Sequence, residues 1–206
     1  MTAYSEFVTD VSLYIPMCPS PVIQQAVKEA AITFGQLSEA MFEVTEILTI
    51  SGVAVYDIPV SEGVTPLRIQ QLYTVDGKLE PTSVDLLLQD HASLGIGGRP
   101  AAYYQDRTDQ VTLFPVPTAP ELMTVKVVVK PKRNSTAISD HLAEAHWETI
   151  MSGAVSRLAS MKNSEWFDPD MAAQHAAAFR AGVETARRLA RNIDKNKRRS
   201  VKYGGY

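Results

Sequence analysis

Proline is unevenly spread along this chain, and its placement decides which parts can be long helices. Eight of the twelve prolines (59, 66, 81, 100, 115, 117, 120 and 131) fall between Phe42 and Lys132. A proline inside a helix removes a backbone donor and clashes with the preceding turn, so that stretch excludes long helices. Ahead of it, Pro19-Ser20-Pro21 reads as a helix start, with Ser20 as N-cap and Pro21 in the first helical position. Ile23, Val27, Ala30, Ala31, Phe34, Leu37 and Met41 then recur at three- and four-residue spacing. That spacing predicts an amphipathic helix of about five turns.

Helical spacing returns at Ile138 and holds to Ile193. One helix is predicted over 139–161, with Leu142, Ala145, His146, Ile150, Ala154, Leu158 and Met161 on one face. Pro169, with Asp168 in the N-cap place, opens a second helix whose stripe is Phe179, Val183, Ala186, Leu189 and Ile193. The short link over 162–167 makes the two an antiparallel hairpin.

Between these helical parts the pattern is that of strands, expected over 43–50, 53–60, 67–75, 101–106, 110–114 and 123–130. Ser51-Gly52, Asp76-Gly77 and Arg107-Thr108-Asp109 supply the turns. Met123, Val125, Val127 and Val129 alternate with Thr124, Lys126, Val128 and Lys130, which predicts one buried face. Ser83 is expected to cap a short helix ending at Asp90, and 93–100 to form a Gly-rich loop. The expectation is an α+β chain. A three-helix domain takes residues 1–41 and 133–193, a mostly antiparallel β domain (42–132) is inserted in it, and an extended tail covers 194–206.

A chain of 206 residues with 45% hydrophobic and 21% charged residues has the composition of a globular protein. It is long enough to bury about 70% of its unfolded surface in one or two domains. No apolar run approaches the roughly 18 residues of a membrane span. Glu6 and Asp10 stand where a signal peptide needs a basic start, so export by that route is not expected. Cys18 is the only cysteine, which excludes an intrachain disulfide and points to a reducing compartment.

Candidate chemistry is sparse. Gly95-Ile96-Gly97-Gly98 lacks the following helix and the Lys-Ser/Thr pair that a phosphate loop needs. His91, His141, His146 and His175 show no i,i+4 pair. On a regular helix His141 and His146 point about 140° apart. Cys18 has no activating helix end directly behind it, and no Gly-x-Ser-x-Gly elbow is present. Asp106 and Asp109 flank a turn that favours them, and Glu39, Glu43 and Glu46 read as a solvated edge. No catalytic, cofactor or metal residue is expected, and the chain does not read as an enzyme.

Charge is the feature that stands out. Between Arg180 and Tyr206 nine bases face two acids, Glu184 and Asp194, a net +7. Residues 1–179 keep eleven bases against 21 acids, a net −10. The helix macrodipole accounts for Arg187, Arg188 and Arg191. It does not account for Lys195, Lys197, Arg198, Arg199 and Lys202, nor for Tyr203 and Tyr206. These ten residues are the candidate docking site. A basic segment with interleaved aromatics fits an acidic protein groove or nucleic acid, the protein partner being favoured because the body is acidic. From residue 194 the run lacks apolar spacing and is expected to be disordered in an isolated chain.

Further motifs carry a resemblance. Cys18-Pro19-x-Pro21-x-Ile23 leads into a helix with Ala26, Ala30, Ala31 and Phe34. Pro100-x-x-Tyr103-Tyr104 and Val111-x-Leu113-Phe114-Pro115-x-Pro117 follow, then a strand ending in Lys130-Pro131. Ile150-x-x-Gly153-Ala154, with Leu158 behind it, precedes Trp166-x-x-Pro169, and the chain closes on Tyr203-Gly204-Gly205-Tyr206. In order and spacing these resemble the head-to-tail adaptor proteins of tailed phages, above all the podovirus type related to tail tubular protein A. The resemblance implies a structural virion protein at the head-tail junction. Twelve copies would form a ring between the portal protein and the tail nozzle or stopper protein, with genomic DNA passing through and not being held. It also implies no membrane partner and a C-terminal segment that reaches the portal. A net charge of −10 suits a channel that must not grip DNA, and 13 extended residues reach roughly 43 Å. The rival reading is a nucleic-acid-binding protein that uses the basic tail.

Overall fold

The computed structural model describes residues 1–90 and 94–195, without the side chains of residues 90 and 192–195. Contacts divide the chain into two compact units. One consists of Met1–Met41 and the chain from Pro131 onward, the other of Phe42–Lys130. In chain order the strands are β1 (Thr2–Ala3), β2 (Phe42–Leu48), β3 (Val55–Asp57), β4 (Val64–Thr74), β5 (Gly77–Lys78), β6 (Glu80–Pro81), β7 (Gly97–Gly98), β8 (Ala102–Tyr104), β9 (Gln110–Phe114), β10 (Val116–Pro117), β11 (Leu122–Pro131) and β12 (Ala137–Ile138). The helices are α1 (Val8–Tyr14), α2 (Ser20–Ser38), α3 (Val84–Asp90), α4 (Asp140–Ala159) and α5 (Pro169–Lys195). The α+β class read from the sequence is the one observed.

In the helical unit, α2, α4 and α5 carry the core: Ile23, Val27, Ala30, Phe34, Ile150, Ala154, Leu158 and Val183 are buried. The proline-bounded start of α2 is present, but Pro19 is the N-cap and no side chain caps the helix. Ser20 is therefore not the cap. Leu37 turns outward and Met41 lies beyond the helix, because Glu39 takes a left-handed φ of 54° that ends it. At the start of α5, Asp168 Oδ1 accepts from the backbone N–H of Asp170 (3.0 Å) and Met171 (2.9 Å), as its position predicts. α5 runs through Lys195, two residues into the segment read as tail.

Ahead of Pro19 the chain folds into an N-terminal segment that lies outside the helices and strands expected from the sequence. A 3₁₀ turn at Tyr4–Phe7 leads into α1, and Phe7, Val11 and Ile15 are fully buried. Their four-residue spacing was the available signal, but a seven-residue helix supplies too few repeats to stand out. Phe7 stacks on Trp147 of α4 at 3.6 Å between ring centroids, and the indole Nε1–H donates to Asp10 at 2.7 Å.

The face assigned to α4 is only partly the buried one. His146 has non-helical angles (φ −135°, ψ 22°) and kinks the helix. Before the kink Leu142 and Ala143 are buried while Ala145 is exposed. After it Ile150, Ala154 and Leu158 form the core stripe, and Met161 lies past the helix end, exposed. A single 3.6-residue phase cannot describe both halves. Leu189 on α5 is 56% exposed and lies off the buried stripe.

The second unit holds two four-stranded sheets, ordered β2-β11-β4-β5 and β3-β9-β8-β6. β2 and β11 run antiparallel with Leu122 opposite Leu48 and Val128 opposite Phe42. Met123, Val125, Val127 and Val129 are buried as their alternation predicts, yet Val128 is buried too, so the last part of β11 is covered on both faces. β6 pairs with β8, and β7 with β10, in parallel two-residue contacts. The buried Thr49 is satisfied by the chain just before β11, its Oγ1 accepting from the Glu121 N–H at 2.7 Å. The expected strand at 53–60 shortens to β3, while Tyr56 closes the turn before it by accepting from the Ile50 N–H and donating to the Val53 carbonyl. Among the described residues no helix is long and apolar enough to cross a membrane.

Candidate functional site

The candidate site begins on the outer face of α5. At 100° per residue, Arg180, Glu184, Arg187 and Arg191 fall within about 60° of one another, and Arg188 lies some 60° beyond Arg191. Ala172, Val183 and Ala186 occupy the buried side. The helix is thus strongly amphipathic, and the cations near its C-terminus are favoured by the backbone dipole. Arg187 pairs with Glu184 at 3.7 Å, while its Nε is buried without a hydrogen-bond partner among the described residues. Arg188 reaches the Thr185 hydroxyl at 3.4 Å, and Arg180 Nε donates to the Ala176 carbonyl at 3.2 Å. Arg191 is exposed. The structure therefore brings Arg187, Arg188 and Arg191 together on one helix end. Lys195 extends that helix, and Lys197, Arg198, Arg199, Lys202, Tyr203 and Tyr206 lie outside the described residues.

Among the described residues the other side chains singled out in the sequence sit in packing or turn positions; His91 lies outside them. Gly97 and Gly98 belong to β7, paired with Val116 and Pro117, and not to the N-terminus of a helix. His146 rests against the Phe34 ring at 4.7 Å. Burial, with a further contribution from the nearby His141, lowers its pKa and favours the neutral ring. His175 meets Tyr14 edge-on at 4.9 Å and is likewise shifted down by burial. The Cys18 thiol is buried and pushed up, so it is held protonated. Asp109 is engaged by Arg107 at 3.2 Å. Among the described residues no group of three or more His, Cys, Asp or Glu could hold a metal.

Two features escaped the sequence reading. Arg99 pairs with Asp76 and Glu121 beside a cleft of about 400 Å³ lined by Val75, Gly98, Pro100 and Pro120 among others. Glu121 also accepts from the Val75 N–H at 3.1 Å, so this group pins the β4–β5 turn to the chain before β11. The second is the close approach of the α4–α5 hairpin. A Cβ on Gly153 would meet Phe179 at 2.7 Å and Ala30 at 3.0 Å, and one on Gly182 would meet Thr149 at 2.3 Å. These glycines let helices touch backbone to side chain, which no spacing rule announces.

Compared with known families, residues 2–201 match the family model described as SU10 adaptor protein. No curated protein matches the chain.

Proposed function

This chain belongs to the SU10 adaptor protein family, a phage adaptor and structural component of the virion, and from that premise we propose that it forms the ring between the portal and the tail nozzle. Twelve copies close the ring at the head-tail junction, as in the tail tubular proteins, and the genome passes through without being held. The role is structural, with no catalytic residue, cofactor or metal assigned. The observation that carries this reading is the family match, which takes in both compact units. The charge distribution supports it: an acidic body of net −10 repels the DNA backbone, while the cationic end of α5 offers a docking arm for acidic portal groups.

The arm is tested on the portal. Full-length protein should co-migrate with portal in a sucrose gradient and appear as rings by negative-stain microscopy. Truncation at Asn192 should abolish docking while changing the melting temperature little. Tyr203→Ala should raise the off-rate more than Lys195→Ala, because buried aromatics hold interfaces that rim charges mainly steer. Failure of the full-length protein to co-migrate refutes the proposal. A truncated protein that still docks but loses DNA affinity makes the basic segment a nucleic-acid element instead.

A further inference from the structure

The helical unit has a second cationic feature, built from three separate stretches of chain. A cleft of about 300 Å³ is lined by Gln25, Lys28 and Glu29 of α2, Arg133 of the turn after β11, and Arg157 of α4. Both carboxylate oxygens of Glu29 are engaged, Oε2 by Arg157 at 2.6 Å and Oε1 by Gln25 Nε2 at 2.9 Å. Lys28 and Arg133 have no ion-pair partner among the described residues. Two uncompensated cations therefore flank a cleft on a body that is otherwise strongly acidic.

Glu148 is exposed on α4 and has no ion-pair partner among the described residues. It and Arg157 both follow the kink at His146, so regular helix geometry relates them. Nine residues at 100° each place them about 180° apart around the axis. A cationic cleft and a free carboxylate thus face opposite sides of one helix. Head-to-tail association needs two different, complementary patches on each copy, and a closing rotation then makes a ring. We infer that the cleft of Lys28, Arg133 and Arg157 receives the Glu148 carboxylate of a second copy of this chain. The inference rests on the ring reading above and names one of its contacts. A small cleft flanked by two uncompensated cations suits a single acidic side chain better than a DNA backbone, which calls for a row of cations along a groove.

The test is a charge swap on rings assembled on portal. Lys28→Glu with Arg133→Glu should raise the protein concentration needed for rings by about tenfold or more, the loss expected for desolvated charge pairs at an interface. Glu148→Lys should do the same, and the combined variant should recover most of the loss. Melting curves screen out misfolded variants, with Lys28→Gln and Arg133→Gln as milder versions. Independently, carbodiimide treatment of rings made from mixed unlabelled and ¹⁵N-labelled protein should yield mixed-isotope Lys28–Glu148 peptides. Charge-reversed proteins that form rings at the wild-type concentration, a combined variant no better than the single ones, or reversals that abolish only DNA affinity would each overturn the inference and leave the adaptor role standing. Absence of any wild-type ring overturns the ring reading, and this contact with it.

Discussion

Replacing Gly182 by alanine probes the α4–α5 hairpin at its closest approach. The added Cβ would lie 2.3 Å from Thr149 Oγ1, 2.5 Å from its Cγ2 and 2.9 Å from its Cβ. Carbon atoms pack best at about 3.5–4.0 Å, so the methyl overlaps by roughly 1 Å. Thr149 cannot swing clear, since its own Cβ is too close and every staggered χ1 leaves at least one of the hydroxyl and the methyl toward Gly182. The helices must separate, and overpacking of this kind costs about 1–3 kcal/mol. Alanine is also better than glycine in a helix by about 1 kcal/mol, which offsets part of the loss. A net destabilisation of up to about 2 kcal/mol remains, or up to about 8 °C in the melting transition of a chain this size. Differential scanning calorimetry reads the shift. Thr149→Ala should return part of it in the double variant, giving a favourable coupling energy. A Gly182→Ala protein that melts higher than the wild type would refute the reasoning, because propensity alone would then have decided the sign.

Other expectations follow from the same contacts. Asp168→Ala removes both cap bonds at the start of α5 and should cost about 1 kcal/mol in urea unfolding, whereas Asp168→Asn should cost less. Asp10→Ala strands the Trp147 indole N–H and should cost about 1–2 kcal/mol, with Asp10→Asn retaining an acceptor and most of the stability. Burial lowers the pKa of both His146 and His175, so the unfolded chain binds their protons more readily than the folded one. Stability is then full above the unfolded value of about 6.5 and falls as the pH drops below it. Melting temperatures between pH 7.5 and 5 should fall, and His146→Gln with His175→Gln should flatten the slope; an unchanged slope would remove these rings as its cause.

Much of the local structure was legible in the residues. Pro21 and the apolar spacing behind it mark α2, Asp168-Pro169 marks the start of α5, and the alternation from Met123 to Val129 marks β11. Each signal is short-range: a missing N–H, a capping carboxylate or a two- or 3.6-residue period acts within a turn or two of chain. α1 was missed because seven residues offer too little period. Leu37 and Leu189 were misplaced because a periodic stripe says which face is apolar, and not where the neighbouring element stops covering it.

The candidate site divides along the same line. The cationic face of Arg180, Arg187 and Arg191 follows from helix phase alone, so the sequence determined it, as it determined the acidic body. Only the tertiary structure decided the cleft of Lys28, Arg133 and Arg157, whose members stand far apart in the chain and converge through the packing of α2 on α4. The same holds for the kink at His146, the glycine contacts of the α4–α5 hairpin and the strand order β2-β11-β4-β5. Contacts of this kind depend on which surfaces meet, and a pairing between separate elements leaves no period or cap for the sequence to display.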